Sequence, residues 1–210
     1  MLFRSVLTPS TQRRRTGSIA LVIDDVSGDS RFYQRFCALP QHLTLALLPN
    51  AGPIEIVAKH AVANGHDLLV GLPAALDDDA ARDLDDEAVR RALRSALKRV
   101  PAAIGFSRYA DLRSDGDERI LRALLSEAKA RNLLFLDGRA VPLAPIGDPS
   151  QTTGVRTLQR DALIDEIDAR DAIEAKLWSL AETAGRTGRD RKSTRLNSSH
   201  SQQSRMPSSA

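Results

Sequence analysis

The stretch 18-SIALVIDDVSGD-29 decides the fold class, because a short apolar run, 19-IALVI-23, leads directly into two acids. A run this short and this uniformly apolar is typical of a strand that is buried on both faces of a parallel sheet. Similar runs recur along the chain as 43-LTLALL-48, 67-DLLVGL-72, 102-AAIGF-106 and 132-NLLFLD-137. The sequence therefore predicts at least these buried strands.

Helical patterns separate the apolar runs. Each pattern carries an apolar stripe at helical spacing, and they cover residues 53–64, 86–100, 116–131 and about 168–184. Buried strands that alternate with helices predict a mainly parallel α/β sheet in a single domain, either a β/α barrel or a doubly wound sheet.

Charge divides the chain into a body and two basic ends. The whole chain has a net charge of +3, but residues 18–185 carry 20 Lys and Arg against 26 Asp and Glu. A body that binds nucleic acid needs a basic face to neutralise phosphates, so no nucleic-acid partner is predicted. The apolar runs are far shorter than the roughly 20 residues that cross a bilayer, so no membrane span is predicted.

The two ends are predicted to lie outside the domain at 18–185. Residues 1–17 carry four arginines and no apolar segment of signal-peptide length, so they are interpreted as a disordered arm or linker remnant without an export signal. Residues 186–210 are rich in serine, have little to bury and resemble a translated sequencing adaptor. They are predicted to be a disordered, non-native tail.

The single cysteine, Cys37, excludes an intramolecular disulfide and a cysteine-based zinc site. It falls on an apolar helical stripe with Phe32 and Phe36. This pattern predicts a small core residue instead of a nucleophile.

Acidic residues follow two of the predicted strands. In parallel α/β folds, ligands bind at the carboxyl ends of the strands, where Asp24, Asp25 and Asp137 are expected. Adjacent acids facing different ways can supply a metal ligand and a base. The alternative, an Asp that caps the next helix, explains one carboxylate better than two. No glycine-rich phosphate loop and no Gly-x-Ser-x-Gly motif is present.

In five segments the chain resembles the divergent polysaccharide deacetylase family. The segments in the family's order and spacing are 18–29, 39-LPQHLTLALLPNA-51, 65-GHDLLVGLPAAL-76, 100-VPAAIGFSRYADLRSD-115 and 132-NLLFLDGRA-140. The resemblance covers about residues 18–175 and implies a distorted, incomplete β/α barrel related to metal-dependent carbohydrate N-deacetylases. It also implies an envelope polysaccharide or oligosaccharide as the partner, and a periplasmic or envelope location.

The resemblance also implies the roles of individual residues. In active relatives an Asp pair supplies a base and a metal ligand, which assigns Asp24 and Asp25 as the catalytic residues, and histidines from later strands complete the metal site. The residues expected to contact the substrate are Tyr109, Arg108, Asp137 and Arg139.

Two positions depart from the family pattern. Family members often have His-Leu-Pro-Met where this chain has 71-GLPA-74, and Asn-Asn-His-x-Gly-Ser where it has 107-SRYADL-112. Gly71 and Tyr109 therefore occupy the places of the family's histidines. No metal ligand is assigned and no cofactor is expected, because Asp25 with Asp24, and Asp111 as a third donor, offers only oxygens that suit a weakly bound divalent cation.

The other histidines do not replace the missing pair. His42 is predicted at a strand start, His60 within a helix and His66 at the end of its strand away from the acids. Each is expected to be structural or exposed. His200 falls in the predicted tail.

The leading hypothesis is a deacetylase-like protein of envelope carbohydrate metabolism with a degenerate metal site and little or no hydrolase activity. One alternative is an active metal-dependent polysaccharide N-deacetylase, with Asp24 as base and Asp25 as ligand of an unusual metal. The other is a non-catalytic protein-interaction module that uses the acidic stretch 77-DDDAARDLDDE-87, although a charge run is usually a solvated face.

Overall fold

The structure is a computed structural model that describes residues 17–26, 30–72, 76, 83–108, 118–138, 153–187 and 191–197. In chain order its elements are β1 (Ile19–Val26), α1 (Ser30–Cys37), β2 (Thr44–Leu47), α2 (Ile54–Ala63), β3 (Asp67–Gly71), α3 (Asp86–Arg99), β4 (Gly105–Arg108), α4 (Glu118–Ala130), β5 (Leu134–Asp137), β6 (Thr157–Gln159), β7 (Ala162–Leu163), α5 (Arg170–Thr187) and β8 (Arg191–Asn197). None of the helices described is both long and apolar enough to cross a bilayer.

The strands form one parallel sheet in the order β6-β5-β4-β3-β2-β1-β8-β7. From β1 to β6, each strand pairs with the next one along the chain. Parallel neighbours need a crossover that returns the chain to the starting edge, and helices α1 to α4 lie within the crossovers from β1 to β5. The predicted parallel α/β sheet in a single domain is confirmed.

The two edge strands of the sheet are consecutive in the chain. β6 pairs with β5, β7 pairs with β8, and only Arg160 and Asp161 lie between β6 and β7. One extended segment thus leaves one edge and joins the other, so the sheet curls until its edges are adjacent. Because β6 and β7 are the two ends of the hydrogen-bonded order, the barrel is incomplete, as predicted.

Strand β8 differs from the disorder that composition predicts for 186–210. Its backbone pairs with β1, with Thr194 opposite Leu21 and Leu196 opposite Ile23. An open strand edge presents unpaired N–H and C=O groups, and an extended segment can satisfy them whatever its side chains are. The domain limits at 18–185 remain a prediction.

The curled sheet separates two apolar clusters, because side chains alternate between its faces. The outer cluster joins the strands to helices α1 to α4 and includes Ile23, Leu45, Val70 and Phe106. The inner cluster contains only strand residues, namely Val22, Ala46, Leu69, Leu134 and Leu136, with Leu158 packed against them. The sheet therefore has a helix-covered outer face and a concave inner face.

Strand β4 shows how closely neighbouring strands approach. Phe106 and Phe135 stack with ring centroids 4.8 Å apart, and a Cβ at Gly105 would overlap the carbonyl oxygen of Leu134. The strand begins at Gly105, later than the predicted run 102–106, because residues 100–103 form a turn in which the N–H of Ala103 donates to the carbonyl of Val100.

Cys37 belongs to the outer cluster, with 3% of its surface exposed. Burial raises the pKa of its thiol. The predicted core role of this residue is confirmed.

Candidate functional site

The acidic pair lies at an irregularity of β1. Ile23 pairs with Leu45 and Val26 with Leu47, so Asp24 and Asp25 together stand opposite the single residue between Leu45 and Leu47 on β2. An extra residue in one strand is a β-bulge, a feature that often re-aims side chains next to active sites. The sequence predicts that the acids follow the strand, whereas both lie within β1.

Asp24 is almost fully buried, at 4% exposure, near the carboxyl end of β1. Val22, two residues earlier, belongs to the inner cluster, so strand alternation places Asp24 on the inner face. Helix α1 begins at Ser30, too far along the chain for Asp24 to be its N-terminal cap. Of Asp25, the structure describes the backbone alone.

Gly71 and Ser107 are paired on β3 and β4, close to the carboxyl ends of these strands. Both residues are buried, and Ser107 is 2% exposed. The Ser107 hydroxyl has no hydrogen-bond partner among the described residues. A buried hydroxyl without a protein partner is rare and is a contact point for water or a ligand.

Arg108 and Asp137 are the next paired residues, on β4 and β5. They follow Phe106 and Phe135 of the outer cluster by two positions, so alternation directs them to the outer face. Asp137 is 7% exposed, and its carbonyl accepts the backbone N–H of Arg160 at 3.0 Å. Two predicted substrate contacts are therefore neighbours, but on the face opposite Asp24.

Several predicted site residues lie outside the part of the chain that the structure describes, namely Tyr109, Asp111 and Arg139. The described inner-face residues near the carboxyl ends of β1, β3, β4 and β5 are Asp24, Gly71, Ser107 and Leu136. Sequence reasoning assigned no role to Ser107. In the sequence, Ser107 is a serine at the end of an apolar run, and that pattern alone does not predict a binding site.

His66 is a structural residue, as the sequence predicts. It is 4% exposed, its Nδ1 accepts the backbone N–H of Leu43 at 3.3 Å, and its Nε2 donates to the carbonyl of Cys37 at 3.2 Å. Because a backbone N–H can only donate, the first bond fixes the proton of the neutral ring on Nε2. Neither nitrogen is available to a metal.

The other described histidines also lie away from the carboxyl ends of the strands. His42 precedes β2, is exposed, and its Nε2 is 3.4 Å from a carboxylate oxygen of Asp67. His60 is exposed in the last turn of α2. His200 lies outside the described residues.

The described residues at this end of the sheet do not by themselves make up a hydrolytic zinc site. Within the described ranges, no three His, Cys, Asp or Glu side chains are grouped closely enough to hold a metal. The carboxylate of Asp24 and the hydroxyl of Ser107 supply oxygens only, whereas catalytic zinc is held mainly by imidazoles. The weak cation site at Asp25 remains a prediction.

The described part of the acidic stretch takes part in internal contacts. Asp85 caps α3 by accepting the N–H of Ala88 at 2.6 Å, and Asp86 pairs with Arg119 of α4 at 2.9 Å. Glu87 accepts hydrogen bonds from Arg90 and Arg94, and Arg94 also reaches Glu127 of α4. These contacts favour capping and helix packing over a role in binding a partner protein.

A cavity of about 510 Å³ opens at the opposite end of the inner face. Its lining comes mainly from the amino-terminal halves of the strands and the residues just before them, among them Ala20, Thr44, Leu69, Leu134 and Arg156, and it extends along β5 to Leu136. We call it the amino-end cavity. It lies at the other end of the sheet from Asp24 and Ser107.

Known proteins match this chain in sequence. A model of the divergent polysaccharide deacetylase family matches residues 21–190. The uncharacterized protein YibQ of Escherichia coli (strain K12) is 25% identical over 179 residues, which cover 82% of this chain and 56% of YibQ. An uncharacterized protein of Haemophilus influenzae is 26% identical over 155 residues, covering 70% of this chain and 55% of that protein. The chain spans little more than half the length of these relatives.

Solved structures share the fold. Uncharacterized protein ATU2773 from Agrobacterium tumefaciens C58 superposes with a TM-score of 0.74 at 19% identity, covering 86% of this chain and 78% of that protein. The Bc1960 peptidoglycan N-acetylglucosamine deacetylase gives a TM-score of 0.54 at 13% identity, covering 87% and 72%. At these identities the likeness is one of fold.

Proposed function

Because the chain belongs to the divergent polysaccharide deacetylase family, we propose that it binds an envelope polysaccharide through a deacetylase-like site with little or no metal-dependent hydrolase activity. The observation that carries this proposal is the donor set at the carboxyl ends of the strands. Asp24 is buried there, and no three metal-binding side chains are grouped in the described part of the chain. The family resemblance places Gly71 where members often have a histidine.

Hydrolysis of an amide by this family's chemistry needs an activated water. Zinc lowers the pKa of a bound water to about 7 when three protein ligands hold the ion and leave one position open. A site with carboxylate and hydroxyl oxygens binds hard cations weakly and does not retain zinc. Asp24 and Asp25 would then be left without the nucleophile that they serve in active relatives.

Binding of a sugar polymer requires less than hydrolysis does. The Ser107 hydroxyl can donate to and accept from sugar hydroxyls, and the Asp24 carboxylate can accept from them. Arg108 and Asp137, at the ends of β4 and β5, are proposed to contact the same polymer from the outer side of the sheet end, and Tyr109 and Arg139 are the further proposed contacts. The fold shared with a peptidoglycan N-acetylglucosamine deacetylase supports a polymer that contains N-acetylglucosamine and a location in the cell envelope.

The test combines metal analysis, activity and binding on the purified chain. We expect less than one equivalent of zinc, no zinc-stimulated acetate release from chito-oligosaccharides, and calorimetric binding of the same oligosaccharides that weakens in Ser107→Ala. The double variant Gly71→His with Tyr109→His should bind zinc more tightly, because imidazole nitrogens are the donors that the site lacks.

His42→Ala is the matched control, because this histidine is exposed and lies at the other end of the sheet. It should change neither zinc content nor oligosaccharide affinity. Stoichiometric zinc in the unmodified protein, with acetate release that disappears in Asp25→Ala, would establish the active deacetylase instead.

A further inference from the structure

The amino-end cavity has an apolar wall and a polar opening. Leu69, Leu134, Leu136 and Leu158 belong to or pack against the inner cluster and line the cavity. Ala20 and Ile104 contribute further aliphatic surface. Its volume of about 510 Å³ lies within the range of about 300–1,000 Å³ typical of sites for small organic ligands. An aliphatic wall of this kind suits a flexible hydrocarbon chain.

Arg156 supplies a positive charge at one side of this cavity. It directly precedes β6, and its carbonyl accepts the backbone N–H of Phe135 at 3.0 Å. In the part of the chain that is described, no hydrogen bond or ion pair engages its guanidinium group, in a body that carries more acids than bases. The carboxylate of Asp67 also lines the cavity, but it lies at the start of β3, three strands away, and pairs with His42.

A second cation lies next to Arg156. Arg156, Lys129 and Asn132 line an adjoining pocket of about 240 Å³. A Cβ built on Gly154, two residues before Arg156, would lie 3.7 Å from Nζ of Lys129. Within the described ranges, Lys129 also forms no ion pair. The apolar cavity and this basic pocket therefore share one residue, Arg156, at their boundary.

We propose that the amino-end cavity binds a single-chain anionic amphiphile, a carboxylate on an aliphatic tail. The tail lies against Leu69, Leu134 and Leu136, and the carboxylate is bound by Arg156 with Lys129 beside it. The charged end of this site, at Arg156, lies at the end of the sheet opposite the proposed polysaccharide site, so either proposal can fail without the other.

Calorimetric titration with hexanoate, octanoate, decanoate and dodecanoate, each below its critical micelle concentration, tests the proposal. The dissociation constant should fall about fourfold for each added CH₂ until the tail fills the cavity, and then level off. Arg156→Gln should weaken decanoate binding about tenfold, because a charge-assisted hydrogen bond is lost, and should leave the binding of decanol unchanged.

Two further variants locate the ligand. Ala20→Leu adds bulk at an exposed position that lines the cavity, so the affinity should stop rising at a shorter tail than in the wild type. Arg91→Gln removes an exposed arginine from α3 and should have no effect. Three results would overturn the proposal. They are an affinity that does not depend on tail length, a loss of decanoate affinity in Arg91→Gln equal to that in Arg156→Gln, and an affinity in Ala20→Leu that levels off at the same tail length as in the wild type.

Discussion

The imidazole of His66 and the carbonyl oxygen of Cys37 lie 3.2 Å apart, which joins the last residue of α1 to the residue before β3. The final carbonyls of a helix have no partner within the helix, and His66 satisfies one of them. Its other nitrogen accepts from Leu43, just before β2. One side chain thereby connects a helix end to the starts of two strands, and this histidine serves the fold.

Replacing His66 should therefore destabilise the protein without touching the candidate site. His66→Ala leaves the Leu43 N–H and the Cys37 carbonyl buried without partners, which should cost about 1–3 kcal/mol in the free energy of unfolding by urea. His66→Asn keeps an acceptor for Leu43 and should recover part of the loss. Oligosaccharide affinity unchanged in the folded variants would agree with this role, and equal stability of all three proteins would contradict it.

Gly105 should tolerate no side chain. Gly105→Ala forces β5 to shift, because the added Cβ overlaps the carbonyl oxygen of Leu134, and we expect a loss of about 1–3 kcal/mol in thermal or urea unfolding. Gly185→Ala in α5 is the control, since a Cβ there meets nothing within 4 Å. It should stabilise the helix by about 0.5–1 kcal/mol. A neutral Gly105→Ala would show that the two strands are less closely packed.

Glu127 should contribute more to stability than the exposed acids do. Its side chain is 8% exposed and accepts from Arg94 at 3.0 Å and Arg131 at 2.6 Å. Glu127→Ala removes a buried acceptor of two charged donors, so we expect a loss of about 1–3 kcal/mol in the free energy of unfolding. Glu55→Ala, which removes an exposed partner of Arg99, should change it much less. If Glu127→Ala and Glu55→Ala lowered the free energy of unfolding equally, burial of Glu127 would not be the cause of its effect.

Low pH should remove the contribution of Glu87 to the free energy of unfolding. Hydrogen bonds from Arg90 and then Arg94 hold the pKa of this carboxyl below its usual value. The contribution is therefore complete above the unfolded-state pKa of about 4.3, and it is lost as pH falls through the lower folded-state pKa. The stability difference between the wild type and Glu87→Gln should be small at neutral pH, because the pair is exposed, and should vanish in acid.

Removal of residues 188–210 tests the place of β8. Both core clusters, as described, are built from residues 21–158, and of β8 the structure describes the backbone alone, so we expect cooperative melting to survive truncation. Without β8 the hydrogen-bonding edge of β1 is open, and the shortened chain should associate as its concentration rises, a change that light scattering detects. A non-cooperative melt would make β8 an essential part of the sheet.

The sequence predicts β1 to β5 and most of the helices because each has a continuous apolar run or an apolar stripe. The segment 157-TLQRDAL-163 has neither an apolar run nor an apolar stripe, so the sequence does not predict β6 or β7. Their strand structure depends on the curling of the sheet, which places β6 at one edge and β7 at the other. In the site, Asp24 could be found because an acid directly after an apolar run is unusual. Ser107 could not, because its burial depends on its pairing with Gly71 on a neighbouring strand.

The passage of one segment from β6 to β7 also affects the order in which the chain can fold. Among the described strands β7 pairs only with β8, and β8 follows β7 in the chain. During synthesis from the N-terminus, β1 to β5 can pair and cover themselves with helices while the ribosome still holds the residues that bring the edges together. Closure depends on the pairing of β1 with β8, which are far apart in sequence, and contacts of this kind slow folding. Until then the concave face, with its aliphatic wall, is open to chaperones and to other nascent chains.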